Sequence, residues 1–217
     1  MDMLGILQHL AGGIVYTVLV TLVCSLTGLV VGLGVATLRR LSGAPLRTVC
    51  DVYTYLLRGV PVLVLLFIVY FGLPGVGLKV PPLLAMALSL GLISSAYLAE
   101  IFRGALDSVD PGEILAAQAM GMTRFQTFWH IEMPQMLLFS LPGMVNEFTS
   151  VLKYSPFAYT VGIPEITKEA ITLTATTLQG AEIYLVVGIL YFSIYRILLV
   201  GVRTLERYFR VPGIASL

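Results

Sequence analysis

From about residue 12 to residue 38 the chain carries no Asp, Glu, Lys or Arg. As a helix that stretch is about 40 Å long, more than the ~30 Å hydrocarbon core of a bilayer. Four further apolar stretches follow, at about 59–74, 82–104, 136–157 and 181–203. With 58% apolar and 12% charged residues among 217, the chain has more hydrophobic surface than one soluble core of that size encloses. Lipid is then its solvent. Backbone groups in lipid pair within their own segment, so the spans are helices. The expectation is an all-α membrane protein with five transmembrane helices, organised as a single domain over 1–217.

Basic residues orient the spans. Arg39, Arg40 and Arg47 follow the first, Arg103 and Arg124 the third, and Arg203, Arg207 and Arg210 the fifth. The other side carries only Lys79 and Lys168, so the positive-inside bias predicts an outer N-terminus and a cytoplasmic C-terminus. The start MDMLGILQHL lacks a basic n-region, and the first span is expected to remain as an anchor. Residues 45–57 place Val49, Val52, Tyr53, Leu56 and Leu57 at helical spacing, which predicts an amphipathic helix at the inner surface. The second span opens at an RGVP turn with Pro61 in its first turn. Gly28 and Gly32 form a small-xxx-small pair for close packing, and Gly34 adds another small surface.

Several functions are excluded. A net charge of +1 leaves little to grip a nucleic-acid backbone. Cys24 and Cys50 lie at no metal-ligand spacing and read as reduced, membrane-embedded residues. His9 and His130, the two histidines, fall on opposite sides of the predicted membrane, so neither a metal site nor a catalytic set is expected. No phosphate loop of the GxxxxGK[ST] form occurs, so the chain cannot hydrolyse ATP alone.

The polar interruption at 110–134 reads DPGEILAAQAMGMTRFQTFWHIEMP. Asp110 before Pro111 predicts a capped short helix that Gly121 ends. A second short helix starts at Thr123, carries Phe125, Phe128, Trp129 and Ile131 along one side, and breaks at Pro134. Ala116 and Ala117 give the resulting knob a small surface that a partner can approach. Periodicity alone fits an interfacial hairpin equally well.

The fourth span contains Asn146, Glu147, Ser150 and Lys153. Entry near Gln135 sets Glu147 roughly 17 Å deep, where an ionisable group needs a partner or a wet cavity. Asn146, Ser150 and Lys153 share one face, and Glu147 an adjacent one. A zwitterionic ligand would find its two opposite charges there. Assembly is the competing role, with Glu147 neutralised by Lys153 of a neighbour. Glu100 and Arg103 pair at i, i+3 to steady the inner end of the third span, Arg58 reads as an interfacial anchor, and Glu165 fits either an external contact or solvation.

Ala116-Ala117, then Gly121, then Ile131 after nine intervening residues, and Pro134 resemble the EAA signature of permease subunits of type I ABC importers. The stretches TVLVTLVCSLTGLVVGLGVATLRR, YLLRGVPVLVLLFIVYFGLP, AYLAEIFRGALDSVDPGE and LPGMVNEFTSVLK are similar to the polar amino-acid branch, the histidine/glutamine permease type, from about Gly12 to Phe209. The resemblance implies the MetI-like fold and a bacterial inner-membrane location. It also implies two ATP-binding subunits that hold ATP and Mg, a second permease subunit, an extracytoplasmic binding protein, and no cofactor in this chain. The knob becomes the coupling helix, with Leu115, Ala116, Ala117, Gly121 and Met122 facing the ATPase. Leu115 stands where the family usually has Glu, which shifts docking towards apolar contact or towards a second, different permease subunit. Two other functions fit the residues alone: an ion- or proton-coupled secondary transporter titrating Glu147, and a non-transporting scaffold whose knob recruits a cytosolic protein. The first is weakened by five spans without internal repeats.

Overall fold

The computed structural model describes residues 3–208, and every regular element among them is helical. Helix α1 (Met3–Leu41) is followed by α2 (Ala44–Gly59) and α3 (Val62–Phe67). Next come α4 (Pro82–Met86) and α5 (Leu92–Asp107), joined without a break through a wide π turn at Ala87–Gly91. The short helices α6 (Pro111–Ala119) and α7 (Arg124–Thr127) form the interruption. Helices α8 (Met133–Tyr154), α9 (Ile166–Thr177) and α10 (Gly180–Tyr208) complete the described residues. Arg210 lies outside the described residues, as do the side chains of Arg203 and Arg207.

Among the described residues, Met3–Leu41, Pro82–Asp107 and Gly180–Gly201 are long and apolar enough to cross a membrane. The pair Ala44–Gly59 and Val62–Val76, bent by 100°, qualifies as a fourth when taken together. The bend is where the sequence placed the RGVP turn. Pro61 caps α3 from outside its first turn, with its carbonyl accepting from the Val64 and Leu65 N–H groups at 3.0 and 3.1 Å. Helix α8 has the length, at 22 residues, but Asn146, Glu147 and Lys153 dilute its hydropathy.

Pro82–Asp107 is the central helix: 67% of its most apolar window is buried, against 11% for Gly180–Gly201. Its neighbours reach it through glycine. A Cβ on Gly32 would lie 2.8 Å from the Ser95 carbonyl oxygen, and one on Gly28 would lie 2.8 Å from Ser94 Oγ. Backbones that close gain dispersion contacts, the main attraction available where lipid removes the hydrophobic drive. Gly34 faces open space and takes no part. On another side the Tyr53 and Ser95 hydroxyls meet at 2.6 Å, fixing α2 to α5.

Two expectations are corrected. Pro134 does not break the chain: another π turn, Phe128–Glu132, runs straight into α8. There the Met133 N–H donates to the Phe128 carbonyl, five residues back, and the widened turn accommodates a ring that an α-helical turn would exclude. Helix α9 was not expected at all. Its N-cap is Glu165, which is fully buried rather than solvated or held out to an external partner. The Glu165 carboxylate accepts the Thr167 and Lys168 N–H groups at 2.8 Å each and the Tyr191 hydroxyl at 2.7 Å. It therefore ties α9 to α10. Gly13 of α1 closes the same node, since a Cβ there would sit 2.6 Å from the Ile166 nitrogen.

Gly32→Ala is expected to destabilise by about 1–3 kcal/mol, because a backbone carbonyl cannot move aside. Gly34→Ala is expected to be neutral or slightly stabilising; melting of the two variants in detergent separates them. Glu165→Ala strips three partly buried donors of their acceptor and is expected to cost about 2–3 kcal/mol, read in the same melts, with Glu165→Gln losing less.

Candidate functional site

The knob is built by local rules. The Asp110 carboxylate accepts the Gly112 N–H at 2.8 Å, and Pro111 fills the first helical position. At the far end Gly121 adopts φ +83°, with its N–H bonded to the Gln118 carbonyl and the Met122 N–H to that of Ala117. This is a Schellman stop, and the left-handed residue in it is costly for anything but glycine. Two residues on, Thr123 and Gln126 form a reciprocal capping box at 3.3 and 2.8 Å.

The two alanines part company. Ala117 is buried and holds the knob from inside, whereas Ala116 is exposed beside Leu115. Leu115, Met120 and Phe125 are 64%, 77% and 61% exposed, an apolar crown on an otherwise polar end of the molecule. Such a patch marks a contact surface. Met122 is half-buried behind it. The expected single aromatic side is split: Phe128 packs into the core with Phe102 and Met136, while Phe125 and Trp129 stay outside.

Polar contacts fix the knob to the helices. Gln135 donates to the Glu113 carboxylate at 2.5 Å, which gives Glu113 a partner on α8. Arg40, in the last turn of α1, grips Glu132 with two parallel bonds, Nε to Oε2 at 3.0 Å and Nη2 to Oε1. Arg124 donates to the Arg40 carbonyl. The Glu132 side chain is only 6% exposed. Sequence reasoning missed this pair, because its two halves lie 92 residues apart and a lone acid in the interruption carries no local signal. Nearby, Arg39 pairs with Asp51 at 2.5 Å, and Arg58 reaches Glu100 at 3.7 Å while lying over the Tyr97 ring. Glu100 also holds Arg103 at 3.1 Å, as the i, i+3 spacing predicted.

The polar face of α8 is less unified than its sequence suggested. The Asn146 carbonyl accepts the Thr149 and Ser150 hydroxyls at 2.8 and 3.0 Å, and the Asn146 side chain is exposed. Glu147 turns to α5, where the buried Ser94 hydroxyl lies beside it without making a hydrogen bond of good geometry. Lys153 turns to α10, its ammonium 5.6 Å from the centre of the Tyr195 ring. There it lines a groove of about 380 Å³ with Leu152, Tyr191, Phe192 and Tyr195. Six helical residues separate Glu147 from Lys153 by about 120° around the axis and about 9 Å along it. One acid and one base thus face two different neighbours. His9 faces Glu169 at 3.7 Å, and the His130 ring meets the Gln126 carbonyl at 2.9 Å, so the two imidazoles belong to separate surroundings.

Residues 28–209 match the family described as binding-protein-dependent transport system inner membrane component. The probable amino-acid ABC transporter permease protein YckA of Bacillus subtilis (strain 168) is 34% identical over 195 residues, spanning 90% of this chain and 86% of that protein. The histidine/lysine/arginine/ornithine transport system permease protein HisQ of Escherichia coli (strain K12) is 34% identical over 175 residues, 76% of this chain and 75% of its own length. Among solved structures, an amino acid ABC transporter with histidines superposes with a TM-score of 0.87 at 30% identity, over 96% of this chain and 99% of that one. The inward-facing MetNI methionine ABC transporter shares the fold, with a TM-score of 0.77 at 20% identity over 93% of this chain and 96% of that one. The chain therefore belongs to the family of inner membrane components of binding-protein-dependent transport systems.

Proposed function

We propose that the chain is the translocating subunit of an ATP-driven importer of polar amino acids, working by alternating access. The observation that carries the reading is the apolar crown of the knob. Leu115, Ala116, Met120 and Phe125 stand exposed at the end where Arg39, Arg40 and Arg124 gather. The substrate class is taken from relatives named as amino-acid permeases. Five helices cross the bilayer: α1, α3 with its continuation to Val76, the α4–α5 helix, α8 and α10. Helix α2 lies along the inner surface, the N-terminus is outside and the C-terminus is cytoplasmic.

Two ATP-binding subunits hold ATP and Mg and seat the knobs, with Leu115, Ala116, Gly121 and Met122 at the contact and Ala117 bracing it from within. Leu115 in place of an acid makes that contact apolar. A second permease subunit, identical or different, completes the pathway, and an extracytoplasmic binding protein delivers the substrate. ATP binding favours one arrangement of the helices and hydrolysis the other, through differential affinity for the two states. In the pathway Asn146, Glu147, Ser150 and Lys153 bind substrate. Because Glu147 and Lys153 point apart, they act as successive stations, Lys153 for a carboxylate and Glu147 for an ammonium or a basic side chain.

Ala116→Trp is expected to lower binding-protein-stimulated ATPase activity about tenfold in proteoliposomes while leaving membrane insertion intact. Unaltered stimulation would count against the knob as coupler. Glu147→Gln is expected to raise the half-saturating amino-acid concentration about tenfold, the cost of one charge-assisted bond. Uptake that follows a pH gradient with no ATPase subunit present would instead favour the secondary transporter.

A further inference from the structure

Motion at the knob reaches the membrane helices along the chain, at the α5–α6 link and at the turn into α8, and through two side-chain ties. The covalent route enters α8 through Phe128–Glu132, a π turn whose hydrogen bonds span five residues. Turns of this kind are local irregularities in the α-helical ladder and are frequent at functional sites. One tie, Gln135 of α8 with Glu113 of the knob, bypasses that turn between the same two elements, and the other leads to α1. Glu132 is the last residue of the turn, and the carboxylate there is gripped by the Arg40 fork at the end of α1. Arg124, on the knob side of the turn, bonds the Arg40 carbonyl. Of the other described ion pairs at this end, Arg39–Asp51 and Arg58–Glu100 join α1 to α2 and α2 to α5, and Arg103 stays within α5. None of these touches the knob.

What α1 does with the motion follows from its far end. Its 39 residues make a rod of about 58 Å. At the other end Gly13 abuts the Ile166 backbone, and Thr17 Oγ1 accepts the Ile166 N–H at 3.3 Å, at the start of α9. Ile166 follows the buried Glu165 that ties α9 to α10.

We infer that the Arg40–Glu132 pair is a strap that makes α1 the rod between the knob and the α9 node, so that the two residues position α9 without touching substrate. The chemistry fits that task better than simple stabilisation. A well-packed apolar pair holds a protein together as well as a buried ion pair does, or better, but only a planar fork fixes distance and direction at once. The inference rests on the knob being the contact for the ATPase.

The test uses the complete transporter, assembled with its ATPase subunits and binding protein in proteoliposomes and given a radiolabelled mixture of the standard amino acids. Transport per ATP hydrolysed, melting temperature and retention of the ATPase subunit on purification are measured together. The double variant Arg40→Met with Glu132→Met is expected to keep its melting temperature and its ATPase subunit, while transport per ATP falls roughly fivefold or more. Arg40→Lys, which keeps the charge and loses the fork, is expected to fall between it and the parent. Unchanged transport per ATP in the double variant overturns the strap, and so does a loss explained by an ATPase subunit that no longer co-purifies. If the double variant does not fold, Glu132→Gln replaces it under the same two outcomes. Ala116→Trp probes the knob itself: a defect there beside an unaffected methionine pair sinks the strap alone, and no defect there sinks the underlying reading.

Discussion

The close approach of α1 to the central helix is the contact on which the other placements depend. In lipid, two helices gain little by hiding apolar side chains from each other, so the contact must come from surfaces that fit. Gly28 and Gly32 remove the side chains that would hold the backbones apart, and the next obstacle is the Ser95 carbonyl itself. With α1 seated there, the remaining sides of the central helix receive α2 through Tyr53 and α8 through Gly143, whose Cβ would meet Ile101 at 2.7 Å. The orientation of α8, and with it the aim of Glu147 at Ser94, is a consequence of that stacking.

The two ends of the bundle are secured by different chemistry. At the knob end, charge meets charge: Arg39 with Asp51, Arg40 with Glu132, Arg58 and Arg103 with Glu100. Most of these side chains are partly exposed, so water and salt compete for them and the contacts can be remade. At the α9 end a fully buried carboxylate is satisfied by two backbone N–H groups and a phenol. The carboxylate itself is out of reach of water, and the two backbone N–H groups depend on it as their acceptor. One end is adjustable and the other is fixed, which suits the proposed transmission from the knob to the α9 node.

Features decided by neighbours in sequence were legible. The apolar run of α1, the stripe of α2, the Asp110–Pro111 start, the Gly121 stop and the Thr123 cap are all local, and the structure carries each of them. Features decided by distant partners were not. The stretch ITKEAITLTATT is rich in threonine and weakly apolar, and α9 exists because Glu165 caps it while Tyr191 and α1 hold that cap in place. Glu132 is buried because Arg40 reaches it. On α8 the identities of Asn146, Glu147, Ser150 and Lys153 were readable, but their division between α5 and α10 was not, since that depends on which helix lies on which side.

The wide turns have a consequence for how this chain is built. Each places one surplus residue in a helical turn, and residues beyond it are rotated by about 100° relative to an uninterrupted count. In the central helix, Ala85, Met86 and Leu90 pack with Val20 and Leu66, whereas Leu98, Phe102 and Leu106 pack with Ala36 and Met136. The turn at Ala87–Gly91 lies at the junction. A single helix thus runs past two cores along its length, as the unbroken α1 does with Val20 and Ala36, without exposing its backbone to lipid as a loop there would. The one surplus residue keeps Met86 and Leu98 within about 20° of one face, where an uninterrupted count sets them about 120° apart.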